Sequence, residues 1–248
     1  MIEKILLTRP AGFNDEIAAA LQARKVQVVQ APLIQVQGIN LKAAQSPLDP
    51  SGDAEQHIIF TSQNAINYAG DLIPQLARMK KAKVFAVGPA TKMRLKTLGI
   101  SAIAPDQPGS EPLLSLPMFA APFAKRVLIV TGRMGRDYLE TTLKDRGATV
   151  ARFECYQRIP QRIENLEALI AEGYNAILVT STDILQALSS HLPKASRRRV
   201  VLCVTASRIA DDARRLGYTQ LIQAPDASVS GILEGLTHGS SHQGAEFS

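Results

Sequence analysis

The sequence predicts an α/β fold of parallel, doubly wound sheets, built twice by tandem duplication. Short apolar strands alternate along the chain with amphipathic helical segments, the pattern of parallel sheets covered by helices. The pattern then restarts: Leu6, Leu21 and Ile34 match Leu128, Leu143 and Tyr156, each pair 122 positions apart. In both copies the compact strand–helix unit continues into an extended stretch, residues 26–37 or 149–158, too long for a simple sheet strand. Such stretches predict the places where the chain passes from one lobe to another.

Taken in order, residues 5–8 form the first strand, and Pro10 stops it because it has no N–H to donate. A helix over 14–24 puts Phe13, Ile17, Ala20 and Leu21 on one face. Residues 26–30 give the second strand, and 43–53, rich in Pro, Ser, Gly and Asp, read as a surface connection. Residues 57–60 run into Thr61-Ser62-Gln63-Asn64, which opens a helix with Ala65, Tyr68 and Ala69 facing inward. Residues 84–87 lead into Gly88-Pro89-Ala90-Thr91 and a helix ending at Gly99. A strand over 100–105, a loop over 106–110 and a short helix over 111–118 close the first copy.

The second copy begins with a strand over 127–131 and a helix over 137–146, which Gly147 can end in a left-handed cap. Residues 176–179 run into Thr180-Ser181-Thr182-Asp183, echoing Thr61-Ser62-Gln63-Asn64. Residues 200–204 run into Thr205-Ala206-Ser207 and a helix ending at Gly217. Ala224-Pro225-Asp226 repeats Ala104-Pro105-Asp106. The end of the chain, 238–248, is small and polar and reads as disordered.

Composition narrows the function. Of 248 residues 46% are hydrophobic and mean hydropathy is +0.01, as for a soluble globular chain. No apolar run reaches the roughly 18 residues that span a membrane, and the start lacks the pattern of a secretory signal. Cys155 and Cys203 form no CxxC pair and sit in apolar strands, which reads as reduced thiols in a cytoplasmic protein. The net charge of +6 permits an anionic partner of any kind. Aromatics are only 5% and Trp is absent, which argues against base stacking and nucleic acid. The run Arg197-Arg198-Arg199 reads as a solvated loop. A small polyanion suits the charge better.

In open parallel sheets ligands bind beyond the carboxyl ends of the strands. The polar residues at those ends are Arg9, Thr61, Ser62, Gln63, Gly88, Pro89, Gly132, Arg133, Thr180, Ser181, Thr182 and Ser207. Their N–H groups, hydroxyls and guanidinium groups suit carboxylates or phosphates. For Thr61, Ser62, Thr180 or Ser181 taken singly, helix capping is an equal reading. The four His residues have no metal-ligand spacing, and there is no nucleophile elbow or Walker lysine loop. Gly132-Arg133-Met134-Gly135 lacks the third glycine of a dinucleotide fingerprint, although Glu154 stands where a ribose-binding acid would. Tyr156 is the one catalytic candidate. It reads equally as a packed aromatic or as a neutral O–H donor at pH 7.

Several segments, in order, resemble the uroporphyrinogen-III synthase family. They are Thr8-Arg9-Pro10, Pro32-Leu33-Ile34, Phe60-Thr61-Ser62-Gln63-Asn64-Ala65, Val87-Gly88-Pro89-Ala90-Thr91, Gly132 with Gly135-Arg136, Arg146-Gly147-Ala148, Cys155-Tyr156-Gln157-Arg158, Thr180-Ser181 and Ser207-Arg208-Ile209-Ala210. The resemblance covers nearly all of residues 2–236. It implies two flavodoxin-like lobes joined by a two-stranded β-ladder. Residues 1–32 and 160–236 would form one lobe and 39–152 the other, with 33–38 and 153–159 as linker strands and 237–248 as a disordered tail. It also implies the reaction: hydroxymethylbilane, which carries eight carboxylates, loses water and closes to uroporphyrinogen III with its last ring inverted. The substrate would be held between the lobes, in a cytoplasmic monomer that needs no cofactor, metal, membrane or nucleic acid. Tyr156 matches the family tyrosine proposed to assist departure of the hydroxyl. One departure stands out: this chain has Thr131-Gly132 where the family often has Arg-Gly, with Arg133 next.

Overall fold

The computed structural model describes residues 2–39, 55–76, 78–79, 81–135 and 137–239. The surface connection expected at 43–53, Arg136 and the final residues 240–248 lie outside the described residues. In chain order the strands are β1 (Lys4–Leu7), β2 (Gln27–Gln30), β3 (Ile34–Gly38), β4 (Gln56–Phe60), β5 (Ala82–Ala86), β6 (Arg126–Gly132), β7 (Thr149–Pro160), β8 (Ala176–Val179), β9 (Val201–Val204) and β10 (Gln220–Gln223). The helices are α1 (Asp15–Gln22), α2 (Gln63–Asn67), α3 (Leu72–Leu76), α4 (Pro89–Thr97), α5 (Ser110–Leu114), α6 (Tyr138–Asp145), α7 (Leu166–Ala171), α8 (Thr182–His191), α9 (Ser207–Arg215) and α10 (Val229–Gly239).

The chain divides into two compact units, Met1–Gln35 with Ile159–Ser248, and Val36–Arg158. The first holds the sheet β10-β9-β8-β1-β2, whose paired strands all run parallel. Counted as the chain visits them, the strands lie in the order second, first, third, fourth, fifth, the flavodoxin-like winding. Helices cover both faces. Leu166, Ile184, Leu188 and Ile209 pack on one side, while Ile17, Leu21, Ile232 and Leu236 pack on the other.

The second unit holds the sheet β3-β7-β6-β4-β5. Its β7-β6-β4-β5 core is parallel and repeats the same winding if counting begins at β6. Ile103 bridges Phe85 at the fifth place. Ala65, Ile66, Leu72 and Leu95 cover one face, and Leu113, Phe119, Leu139 and Leu143 cover the other. Beside β7, the backbone bonds Gln161 N to Leu33 O (2.8 Å) and Ile39 N to Cys155 O (3.0 Å) have numbers that rise on one strand and fall on the other. That is antiparallel pairing.

The duplication is visible in equivalent positions. Leu6 and Leu128, Leu21 and Leu143, and Ile34 and Tyr156 are all buried. Ser62 and Ser181 both cap helices, accepting from Ala65 N (3.1 Å) and Ile184 N (3.3 Å). Gly99, Gly147 and Gly217 follow helices at φ of 76°, 96° and 92°, a conformation that costs glycine little.

The extended run 26–37 divides at Pro32, which donates no ladder bond, into β2 and β3, close to the stretches read at 26–30 and 33–38. Three local expectations are corrected. The expected strand at 100–105 reduces to the Ile103 bridge, where Ile103 N donates to Val84 O and its carbonyl accepts from Ala86 N, both at 2.9 Å. Phe13 is 41% exposed, since it precedes α1 in a turn where its N–H donates to Pro10 O at 3.1 Å. Tyr68 lies just past the end of α2 and is 37% exposed rather than inward. Among the described residues no helix is long and apolar enough to cross a membrane.

His57 gives the second unit a pH-dependent core. Its ring stacks on Phe85 with centroids 5.3 Å apart and meets Phe123 edge-on at 5.3 Å. Nδ1 is buried without a partner. Burial is the main cause holding its pKa below the ordinary value, with Glu55 opposing and Lys83 and Lys125 assisting. The folded state therefore binds fewer protons than the unfolded state below about pH 6.5, the unfolded value. Stability is fully present above that pH and falls as pH drops toward the folded pKa. The melting temperature should decline from pH 7.5 to 5.5, and His57→Phe should flatten that decline. A His57→Phe slope equal to wild type would remove His57 as the cause.

Candidate active site

Because β4, β5, β6 and β7 run parallel, their carboxyl ends share one edge of the sheet. The end of β4 supplies Thr61 and Ser62, and the end of β6 supplies Gly132 and Arg133. These residues and Tyr156 line a cavity of ≈ 150 Å³, with Arg152 and Arg158 also in its wall. A typical ligand pocket holds roughly 300–1,000 Å³, so this one admits a single end of a large ligand.

The placement of Tyr156 depends on a bulge. Thr131 pairs with Glu154, but Gly132 pairs with Tyr156, leaving Cys155 as an extra residue. In a regular strand, successive side chains face opposite sides. Here Cys155 and Tyr156 enter the same apolar cluster, with Leu128 and Val130. The bulge turns the tyrosine, a recognised use of this device. Its ring is 3% exposed and lies on Gly132, where an added Cβ would be 2.6 Å from Cζ. The backbone locks the arrangement, with Arg133 N–H donating to Tyr156 O at 2.7 Å.

Polar neighbours surround the phenol. Its oxygen is 3.1 Å from Ser62 Oγ. The Arg158 guanidinium lies 5.8 Å from the ring centroid and the Tyr68 ring 6.1 Å away. Thr61 Oγ1 is 3.2 Å from Val130 O and 3.1 Å from Thr131 Oγ1. Cys155 is the other reactive group nearby, but burial pushes its thiol up to about 12. A thiol at that value is not a nucleophile at neutral pH.

A larger, open hollow of ≈ 800 Å³ lies beside α6 and includes Arg133, Lys144 and Arg152. Its cations are already matched. Arg152 meets Asp137 at 2.8 Å, Glu140 at 3.2 Å and Glu154 at 3.4 Å, and Arg133 meets Glu154 at 3.7 Å. The Lys144 hydrogen bond and then Arg152 hold the Glu140 carboxyl below its usual range against the opposing effect of burial. Carboxylates held ionised in this way repel an anionic ligand. Glu140 also lines the smaller cavity, but Asp137, Asp145 and Glu154 line only the hollow and Arg158 only the smaller cavity, so electrostatics favours the smaller cavity.

The other candidates are placed as follows. Gly88 and Pro89 follow β5 on the same edge but do not line the cavity. A Cβ at Gly88 would lie 2.8 Å from Pro108 Cβ, so glycine there permits a loop to pack. Gln63 is the first residue of α2 and is half-buried. In the first unit, Arg9, Thr180 and Ser207 follow β1, β8 and β9, neighbouring strands of one parallel sheet. Arg9 Nη2 donates to Ala227 O at 3.4 Å, and burial is the main cause lowering its pKa, against Glu16. Ser181 caps α8, Thr182 Oγ1 is buried without a partner, and Ser207 Oγ accepts from Gln223 Nε2 at 3.1 Å. Sequence reasoning missed the polar lining residues Ser110, Thr131, Glu140, Arg152 and Arg158. Arg158 lay within the Cys155–Arg158 stretch and was legible as a charge two residues from Tyr156.

The family model described as uroporphyrinogen-III synthase HemD matches residues 15–234. The chain belongs to the uroporphyrinogen-III synthase family. The uroporphyrinogen-III synthase of Salmonella typhimurium strain LT2 is 32% identical over 245 residues, covering 94% of this chain and 99% of that protein. That of Escherichia coli strain K12 is 31% identical with the same coverage. The fold agrees with solved members of the synthase family. A mutant uroporphyrinogen III synthase from the extremely thermophilic bacterium Thermus thermophilus aligns at TM-score 0.67 and 17% identity, covering 98% of this chain and all of that one. Uroporphyrinogen-III synthetase from Helicobacter pylori 26695 aligns at 0.64 and 17% identity, covering 96% and 99%.

Proposed function

We propose that this chain exercises its uroporphyrinogen-III synthase activity, a cyclising lyase reaction of tetrapyrrole biosynthesis, with Tyr156 as the donor to the departing hydroxyl of hydroxymethylbilane. The observation that carries this reading is the bulged tyrosine on the wall of a small cavity at the carboxyl edge of a parallel sheet. The cavity takes the hydroxymethyl end of the bilane. Arg9, Thr61, Ser62, Gln63, Gly88, Pro89, Gly132, Arg133, Thr180, Ser181, Thr182 and Ser207 are the proposed contacts for the rest, with carboxylates met by N–H groups and cations. Residues 1–32 with 160–236, and 39–152, are the proposed lobes of a cytoplasmic monomer.

The reaction releases one water and makes one C–C bond. The bilane left alone tends to close without inversion, so most of the catalytic task is positioning the ring carbon that attacks. A hydrogen-bond donor at the leaving oxygen stabilises its growing negative charge as the C–O bond breaks. The phenol proton is the one that Tyr156 offers.

Purified protein given fresh hydroxymethylbilane should yield mainly the type III isomer after oxidation and separation of the porphyrins. Type I alone, at the rate without enzyme, would overturn the assignment of the activity. Tyr156→Phe should lower kcat by about 10- to 100-fold, at or just below the usual range for one acid–base group. Type III should still predominate in that variant, because the bound conformer sets the isomer. An unchanged kcat would exclude Tyr156 as the donor.

A further inference from the structure

Ser62 Oγ accepts the Ala65 N–H at 3.1 Å and also lies 3.1 Å from the Tyr156 oxygen. A serine hydroxyl has one proton and two lone pairs. With a lone pair held by Ala65, the Ser62–Tyr156 bond can run in either of two directions. If Tyr156 donates to Ser62, the phenol proton is used inside the protein. If Ser62 donates to Tyr156, the phenol proton is free for the cavity that both residues line. An acceptor oxygen in the cavity selects the second direction. The donors then run from Ala65 N–H to Ser62, to Tyr156, to the ligand, and each bond polarises the next.

We propose that Ser62 is a positioning residue for the reaction: it turns the Tyr156 proton toward the substrate and strengthens it as a donor. This rests on the reading of Tyr156 as donor. The geometry gives Ser62 little freedom to do otherwise. Its backbone is extended at φ −167° and ψ 166°, and its oxygen is anchored to the first turn of α2. The tyrosine is equally fixed, with its ring on Gly132 and Cys155 bulged beside it. The equivalent serine of the first unit, Ser181, caps α8 in the same way. The residue equivalent to Tyr156 there is Ile34, which has no hydroxyl, so only the second unit carries the pair.

The test is a double-mutant cycle on the full chain, reading kcat and KM for type III formation from hydroxymethylbilane. Ser62→Gly removes the donor and keeps most of the cap function, since glycine is an acceptable N-cap. Ser62→Gly should lower kcat by about five- to tenfold, the worth of one lost hydrogen bond, with KM little changed. In a Tyr156→Phe background the same change should do nothing further. Ser62→Thr, which restores a hydroxyl, should recover most of the rate. An equal loss in both backgrounds, or a Ser62→Gly kcat equal to wild type, would overturn the role of Ser62 while leaving Tyr156 as donor. A silent Tyr156→Phe would overturn both. Urea midpoints of all variants should stay close to wild type.

Discussion

Gly132→Ala is expected to lower kcat/KM for type III formation by about 100-fold, the scale of loss from moving a catalytic group by ~1 Å. A Cβ at this position would lie 2.6 Å from Tyr156 Cζ, 2.7 Å from Cε2 and 3.1 Å from Cε1. All three atoms belong to the hydroxyl-bearing end of the ring. The backbone cannot retreat easily, because Gly132 is paired with Tyr156 across the ladder and Arg133 N–H is bonded to Tyr156 O. The ring must swing instead. Its hydroxyl then leaves Ser62 and its aim into the cavity changes. Forcing a methyl group into packed surroundings costs about 1–3 kcal/mol of stability, which a denaturant titration would read separately. Near-wild-type activity in Gly132→Ala would mean that the position of the phenol is not critical.

Arg197→Ala should destabilise the first unit by about 3 kcal/mol, from the range for losing charge-assisted bonds to buried acceptors. Arg197 is 8% exposed. Its Nε donates to Leu192 O at 3.0 Å, Nη1 to Leu216 O at 2.6 Å and Nη2 to Ser189 O at 2.5 Å. Its guanidinium lies 5.6 Å from the Tyr218 ring centroid, and the Tyr218 hydroxyl is 3.1 Å from Ser189 Oγ. One planar fork thus ties the ends of α8 and α9 together. Arg197→Lys should lose nearly as much, because an ammonium cannot match three spread carbonyls. The urea midpoint measures the loss, and a shift worth under about 1 kcal/mol, the scale of a surface substitution, would show that the carbonyls find other partners. The triple arginine run reads from sequence as solvated loop. Arg198 and Arg199 are indeed exposed, but Arg197 is not. Sequence neighbours of one type can differ in this way because burial depends on which carbonyls the fold presents.

Much of the site was legible residue by residue. Ser62 and Ser181 stand where an apolar strand meets a polar helix start, and both cap. Thr61, Ser62, Gly132, Arg133 and Tyr156 were all candidates and come together around one cavity. Gly88 and Pro89 were candidates by the same logic, yet they lie outside that cavity, because strand-end position fixes only the edge of the sheet. The bulge at Cys155 was not legible. Alternation along 149–158 puts Cys155 and Tyr156 on opposite faces, and only the pairing of Thr131 and Gly132 with β7 shows otherwise. Tyr68 reads as a core residue from helical spacing, but α2 ends before it. Its hydroxyl donates to Val36 O at 3.0 Å instead.

The sequence by itself determined the repeated α/β plan, the parallel strands, the helix starts that Ser62 and Ser181 cap, and the edges at which polar groups collect. Those features follow from local periodicity and capping chemistry, which neighbouring residues carry among themselves. Tertiary structure alone decided the turn of Tyr156 toward Ser62, the burial of Arg197 and the loss of the strand expected at 100–105. The first two depend on partners outside their own segment: Ser62 is 94 positions from Tyr156, and Leu216 is 19 from Arg197. A pattern of spacing along the chain holds no record of such distances, because they are set by how the sheets pair and pack.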